Sequence, residues 1–213
     1  GLREGSRALG LVAEEDPRLL GALDGLDREA GKLTSVLNSA AASGKISDDL
    51  LGRVARFSEP AYQEAQRVAR RIEKLHGQGK SLPLSVTLKI SLGARQRVMS
   101  QTMAKQACMI ARGIEVEAHR AALAETVSVF ETTTGALLNG FDAFGLPAET
   151  DPALRARLEE AEALWAEVKP IYMAVIDGGE PDEQELRAIS WQSRVLFTRF
   201  DQAVFGYEQG VSG

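Results

Sequence analysis

The sequence contains little of several residue types that particular functions require. It has one cysteine, Cys108, and two histidines. A single cysteine cannot form an internal disulfide, and three such residues are too few for a tetrahedral zinc site. No metal and no other cofactor is therefore predicted. A run of about 18 apolar residues is also missing, so no segment of this chain is expected to insert into a membrane.

An excess of positive charge is absent too. The chain of 213 residues has 25 Lys and Arg against 30 Asp and Glu, which gives a net charge of −5. Because the two signs are mixed evenly, no basic field would attract a phosphate backbone, and nucleic acid is not an expected partner. The sequence also lacks a Gly-rich phosphate loop, a nucleophile beside a base and paired carboxylates. An enzyme is therefore not predicted.

The sequence has instead the spacing of amphipathic helices, so an all-α fold is predicted. It contains seven prolines, and β-branched residues rarely alternate with polar ones. Apolar residues recur every three or four positions from Leu19 to Ala40, and again from Leu154 to Val175, which keeps each set on one helix face. An Asp-Pro dipeptide precedes each stripe, and this is a typical start signal for a helix.

These two stripes superimpose at a constant spacing of 135 residues. The same spacing relates the stripe over 51–72 to that over 186–207. The glycine-containing turns over 41–49 and 175–183 also match, because each ends a helix in glycine and is followed by an acidic or Ser cap. Shared caps, turns and stripes predict an internal repeat.

The repeat divides the chain into a partial first unit at 1–76, a linker at 77–84 and a complete unit at 85–213. Residues 85–208 are predicted to form a four-helix bundle. Residues 1–76 should form a partial, repeat-related bundle whose apolar stripes need a cover, because each exposed large side chain forfeits roughly 1.5–3 kcal/mol. Three covers remain open: residues upstream of Gly1, the complete unit, or a second copy of the chain.

The stretch GARQRVMSQTMAKQ, residues 93–106, differs from the other helical segments. Gln96, Met99 and Met103 continue a stripe that should face the core. The opposite face carries Arg97 and Gln101 among small residues, a pattern that indicates a second packing surface.

The positive charge of this stretch has no acidic residue near it in sequence, because none occurs between positions 90 and 114. A partly buried guanidinium needs an anionic partner, since burying an unpaired charge is expensive. Two interpretations remain open. In the first, Arg95 and Arg97 hold a small anion, with neutral contacts from Ser100 and Gln101. In the second, a neighbouring helix supplies the counter-charge through an acid such as Glu125 or Glu131.

The longer stretch KISLGARQRVMSQTMAKQ resembles the signature helix of the PilJ/NarX-like sensor family, the N-terminal domain of type IV pili methyl-accepting chemotaxis transducers. That family has a motif close to A-G-R-Q-R-M-L-S-Q-R-M-A-K. The matching positions are Arg95, Gln96, Arg97, Ser100, Gln101, Met103, Ala104 and Lys105. DPALRARLEEAEALWAEVKPIYMAVIDG, residues 151–178, resembles the family's third helix, and the likeness covers about 85–208.

This resemblance implies an extracytoplasmic, periplasmic sensor module, either soluble or part of a membrane protein, that signals by a helix shift to a partner or an attached domain. In the nitrate-sensing branch, an arginine at the position of Arg97 grips the anion at a symmetric dimer interface. The implied partners are a small anionic or polar ligand, nitrate-like or nitrite-like, and a second copy or a signalling protein. The implied ligand residues are Arg95, Arg97, Ser100, Gln101 and Lys105. Thr102 stands where the family motif has a further arginine, which favours the alternative of an interaction scaffold without a ligand.

Overall fold

The computed structural model describes residues 2–7, 12–76 and 83–210. Within these ranges the chain forms six α-helices and one short 3-10 turn, which confirms the predicted all-α class. The helices are α1 (Pro17–Ser43), α2 (Asp48–His76), α3 (Leu84–Ala111), α4 (Val116–Asn139), α5 (Pro152–Ile176) and α6 (Glu183–Gly210). The chain divides into an N-terminal unit, Gly1–Ser81, and a C-terminal unit, Leu82–Gly213. Most of the predicted linker, residues 77–82, lies outside the described residues.

Helices α1 and α5 begin in the same way, as their Asp-Pro dipeptides predict. The N-cap residues Asp16 and Asp151 have nearly identical backbone angles, with φ of −68° and −69° and ψ of 118° and 120°. Each cap carboxylate accepts hydrogen bonds from the N–H groups of the second and third residues of its helix, and the first residue is a proline, which has no N–H. The same local chemistry therefore starts a helix twice, 135 residues apart.

The N-terminal unit is a hairpin of α1 packed against α2. Among the described residues, its main buried cluster is small and consists of Leu19, Ala22, Leu23 and Val68. Gly44 caps the C-terminus of α1, and its φ of 62° is the left-handed conformation that favours glycine at a helix terminus.

The C-terminal unit is a four-helix bundle, as predicted. Helix α3 packs against α4 and α6, and α5 packs against the same two helices. Four aromatic side chains fill the centre: the ring of Phe130 lies 4.9 Å from that of Trp165 and 5.7 Å from that of Phe200, and Tyr172 stacks on Trp165. The motif helix, α3, which carries residues 93–106, is held on two sides by α4 and α6.

Helices α3 and α6 run antiparallel in close contact. The residue numbers of the contacts decrease along α6 as they increase along α3. In order along α3, the contacts are Lys89 with Tyr207, Gly93 with Val204, Arg97 with Asp201 and Gln101 with Ser193. A Cβ atom at Gly93 would lie 2.8 Å from Cγ2 of Val204, so a glycine here permits the close approach. None of the helices in the described ranges combines the length and apolarity that a membrane span requires.

Candidate functional site

The inward face of the motif helix is used for packing between helices. Gln96 is completely buried, and its Nε2 donates hydrogen bonds to the carbonyl of Phe130 at 2.8 Å and to Oγ1 of Thr134 at 2.9 Å. This amide therefore links α3 to α4. Ser100 is also completely buried and donates from Oγ to the carbonyl of Arg97 at 2.8 Å. The structure does not bring Ser100, a predicted ligand residue, to the surface where an anion would bind.

The opposite face of α3 lies against α6. Arg97 forms a salt bridge from Nη1 to the carboxylate of Asp201, and its guanidinium lies 5.9 Å from the ring centroid of Phe197. One turn further along α3, Nε2 of Gln101 donates to the carbonyl of Ser193 at 2.9 Å. This face is a packing surface, as the small residues indicated, and its neighbour in the described structure is α6.

Asp201 supplies the counter-charge to Arg97, a role for which the sequence had suggested Glu125 or Glu131. Glu131 instead accepts a hydrogen bond from Nε1 of Trp165 at 2.9 Å and pairs with Lys169. Burial alone would raise the pKa of Glu131, but the hydrogen bonds from Lys169 and Trp165 outweigh it and lower the pKa.

Arg95 does not converge with Arg97. Two residues along an α-helix turn the side chain by about 200°, so neighbours at this spacing do not face each other. Arg95 is exposed, whereas Arg97 is half-buried against α6. Within one chain, the predicted pair of arginines therefore cannot grip one anion together.

Lys105 continues the side of α3 that carries Arg97 and Gln101, and it lines a groove between α3 and α6. Cys108 lines the same groove, and burial raises the pKa of its thiol although Arg112 opposes this effect. Burial also lowers the pKa of His119, with a further contribution from the charge of Lys105. Among the described residues, no group of three or more His, Cys, Asp or Glu side chains is placed to hold a metal ion.

The partners on α6 were not found from the sequence. Asp201 is 104 residues from Arg97, and Ser193 is 92 residues from Gln101. One signal was available. In an up-and-down bundle the first and last helices are antiparallel neighbours, so the first half of α3 lies opposite the second half of α6.

The family model PilJ, "Type IV pili methyl-accepting chemotaxis transducer N-term", matches residues 85–189, which include nearly all of α3, all of α4 and α5, and the start of α6. No curated protein and no solved structure matches the chain. The match confirms the resemblance read from the motif helix. Residues 85–189 of the C-terminal unit are therefore similar to the N-terminal domain of type IV pili methyl-accepting chemotaxis transducers, a signalling domain of the sensor type.

Proposed function

We propose that the C-terminal unit is a periplasmic sensor module that binds a small anion, nitrate-like or nitrite-like, through its motif helix. Binding would be reported as a shift of α6 relative to α3, passed to a partner or to an attached domain. The family supports the signalling role, since its members are the N-terminal domains of chemotaxis transducers.

The observation that carries this proposal is the pairing of Arg97 with Asp201 across the α3–α6 contact. The side chains are 28% and 51% exposed, so a dissolved anion can reach the pair. A guanidinium binds planar oxyanions through two parallel hydrogen bonds. An anion that took the place of the Asp201 carboxylate would keep Arg97 paired while freeing α6 at this position.

Isothermal titration of nitrate and nitrite into the full chain tests the proposal. Removing the internal competitor by Asp201→Asn should tighten binding about three- to fivefold, because a partly exposed ion pair contributes up to about 1 kcal/mol. Arg97→Ala should abolish binding. Glu183→Gln is the matched control, because it removes a solvent-exposed partner of Arg187 on the same helix and should leave the affinity unchanged.

An interaction scaffold without a ligand is the second candidate, and the internal pairing of Arg97 favours it because the guanidinium already has a carboxylate. It predicts no heat with either anion, both for the wild type and for Asp201→Asn. It also predicts that Arg97→Ala leaves the self-association of the chain unchanged in sedimentation equilibrium. Heat from Asp201→Asn that Arg97→Ala abolishes would exclude it.

A further inference from the structure

We infer that the groove between α3 and α6, about one to three turns beyond Arg97, binds a small organic anion with one carboxylate and a short apolar body. The groove has a volume of about 330 Å³. Its described lining residues are Gln101, Ala104, Lys105 and Cys108 from α3, and Leu186, Ile189, Ser190, Ser193 and Arg194 from α6. Binding to this groove is argued from its lining alone, and only a signalling role for the ligand rests on the proposed sensor function.

Two cationic side chains stand on opposite walls of the groove, Lys105 on α3 and Arg194 on α6. The guanidinium carbon of Arg194 lies 5.5 Å from the ring centroid of Trp191, a cation–π contact within α6. None of the described residues that line the groove is acidic. An anion would therefore meet positive charge from both helices.

The polar groups of the lining suit a carboxylate. Nε2 of Gln101 is engaged with the carbonyl of Ser193, which fixes the amide at the groove wall. Ser190 adds a hydroxyl group that can donate a hydrogen bond to a carboxylate oxygen. Arg194 can donate two parallel hydrogen bonds to the same head group.

The rest of the lining is apolar, and the groove is too large for an inorganic oxyanion alone. Ala104 and Leu186 contribute carbon surface, whereas Ile189 lines the groove but is 1% exposed and belongs to the core. A water molecule takes about 30 Å³, so an ion of four atoms would fill only a small part of this space. The volume is at the lower end of the range of ligand pockets, which suits an acid of roughly ten non-hydrogen atoms.

A larger open concavity of about 750 Å³ follows α1, but it is a weaker candidate. Its described lining comes from one helix, and Asp27 is the one charged residue in it. It offers neither opposed walls nor a charge that would select a ligand class. The α3–α6 groove has both.

Titration of acetate, hexanoate, benzoate and succinate into the full chain tests the inference. Hexanoate or benzoate should bind more tightly than acetate, because these acids also fill the apolar part. Arg194→Gln and Lys105→Met should each weaken binding by about tenfold, since each removes a charge-assisted contact. Arg187→Gln is the matched control, because its charge is paired with Glu183 outside this groove. Far-UV circular dichroism should show that all variants remain folded.

A space-filling variant separates a shaped site from general attraction to positive charge. Ala104→Leu adds carbon to the groove without changing any charge, and it should weaken hexanoate binding by about tenfold or more. Unchanged binding in Ala104→Leu would overturn the inference, as would the absence of binding by every acid to the wild type. Binding that Arg97→Ala removes and Arg194→Gln retains would also overturn it, and would assign the acid to the Arg97 site. Since nitrate and nitrite are titrated separately, failure of this groove is distinct from failure of the proposed function.

Discussion

Lys89 and Glu149 form a buried ion pair at one end of the C-terminal bundle. Nζ of Lys89 lies 2.9 Å from Oε2 of Glu149, and the two side chains are 10% and 4% exposed. The other carboxylate oxygen accepts the N–H of Asp151, the cap of α5, at 2.9 Å. Burial alone would raise the pKa of Glu149, but the hydrogen bonds from Lys89 and from Asp151 outweigh it and lower the pKa. This carboxylate therefore fixes α3 to the start of α5 in its charged form.

Removing one partner of this pair should be costly. Lys89→Met leaves the Glu149 carboxylate buried without its cation, and the free energy of unfolding at pH 7 should fall by about 3–5 kcal/mol. Urea titration followed by tryptophan fluorescence measures it. The control is Arg187→Met, which breaks an exposed pair and should change the free energy by less than about 1 kcal/mol. Equal effects of the two variants would contradict the prediction.

The same carboxylate should make stability depend on pH. Because the pKa of Glu149 is lowered in the folded state, its contribution is fully present above the unfolded pKa of about 4.3. It is lost as the pH falls through the folded pKa. The free energy of unfolding should therefore decline less in acid for Glu149→Gln than for the wild type. Parallel curves from pH 7 to pH 3 would show that Glu149 is not the group responsible.

Gly140, at the end of α4, has a conformation that other residues rarely adopt. Its φ is 80° and its ψ is 172°, and a Cβ atom would lie 2.6 Å from the backbone N of Ala148. Gly140→Ala should reduce the free energy of unfolding by about 1–3 kcal/mol from backbone strain, and the clash should add to this. Gly135→Ala, inside α4 with no atom near the added Cβ, should instead stabilise the protein by about 0.5–1 kcal/mol. Thermal unfolding of the two variants should shift in opposite directions.

At the scale of the helix, periodicity and caps predicted which face is buried and where α1 and α5 begin. Gln96, Met99 and Met103 are buried as their spacing indicated. Spacing alone could not identify what lies opposite each face. The partner of Arg97 is on a helix 104 residues away, and its identity depends on the register of two antiparallel helices. A shift of one turn would have given Arg97 a different neighbour.

The two repeated caps provide a matched pair of substitutions. Asp151→Ala removes the carboxylate that accepts the first N–H groups of α5, and Asp16→Ala does the same for α1. Each should cost about 0.5–2 kcal/mol. The cost should fall on the unit that contains the cap. Asp151→Ala should lower the fluorescence-detected urea midpoint, and Asp16→Ala should leave it unchanged, because both tryptophans are in the C-terminal unit.

For the whole chain, the two units differ in how much core they bury. Among the described residues, the main cluster of buried apolar side chains has four members in the N-terminal unit and twenty in the C-terminal unit, among them Phe130, Trp165 and Phe200. Burial of apolar surface is the dominant favourable term in folding, and a larger core supplies more of it. The N-terminal hairpin should therefore have the lower intrinsic stability, unless another molecule covers it.

Urea unfolding followed by two probes tests this difference in stability between the two units. Far-UV circular dichroism reports all helices, including the 27 residues of α1 and the 29 of α2, while fluorescence from Trp165 and Trp191 reports the C-terminal unit alone. Helix signal should be lost at lower urea than the fluorescence change, because the smaller core unfolds first. If a second copy covers α1 and α2, the early transition should move to higher urea as protein concentration rises, since association stabilises the folded form by mass action. Coincident transitions at every concentration would mean that the hairpin is as stable as the bundle, contrary to the difference in their cores.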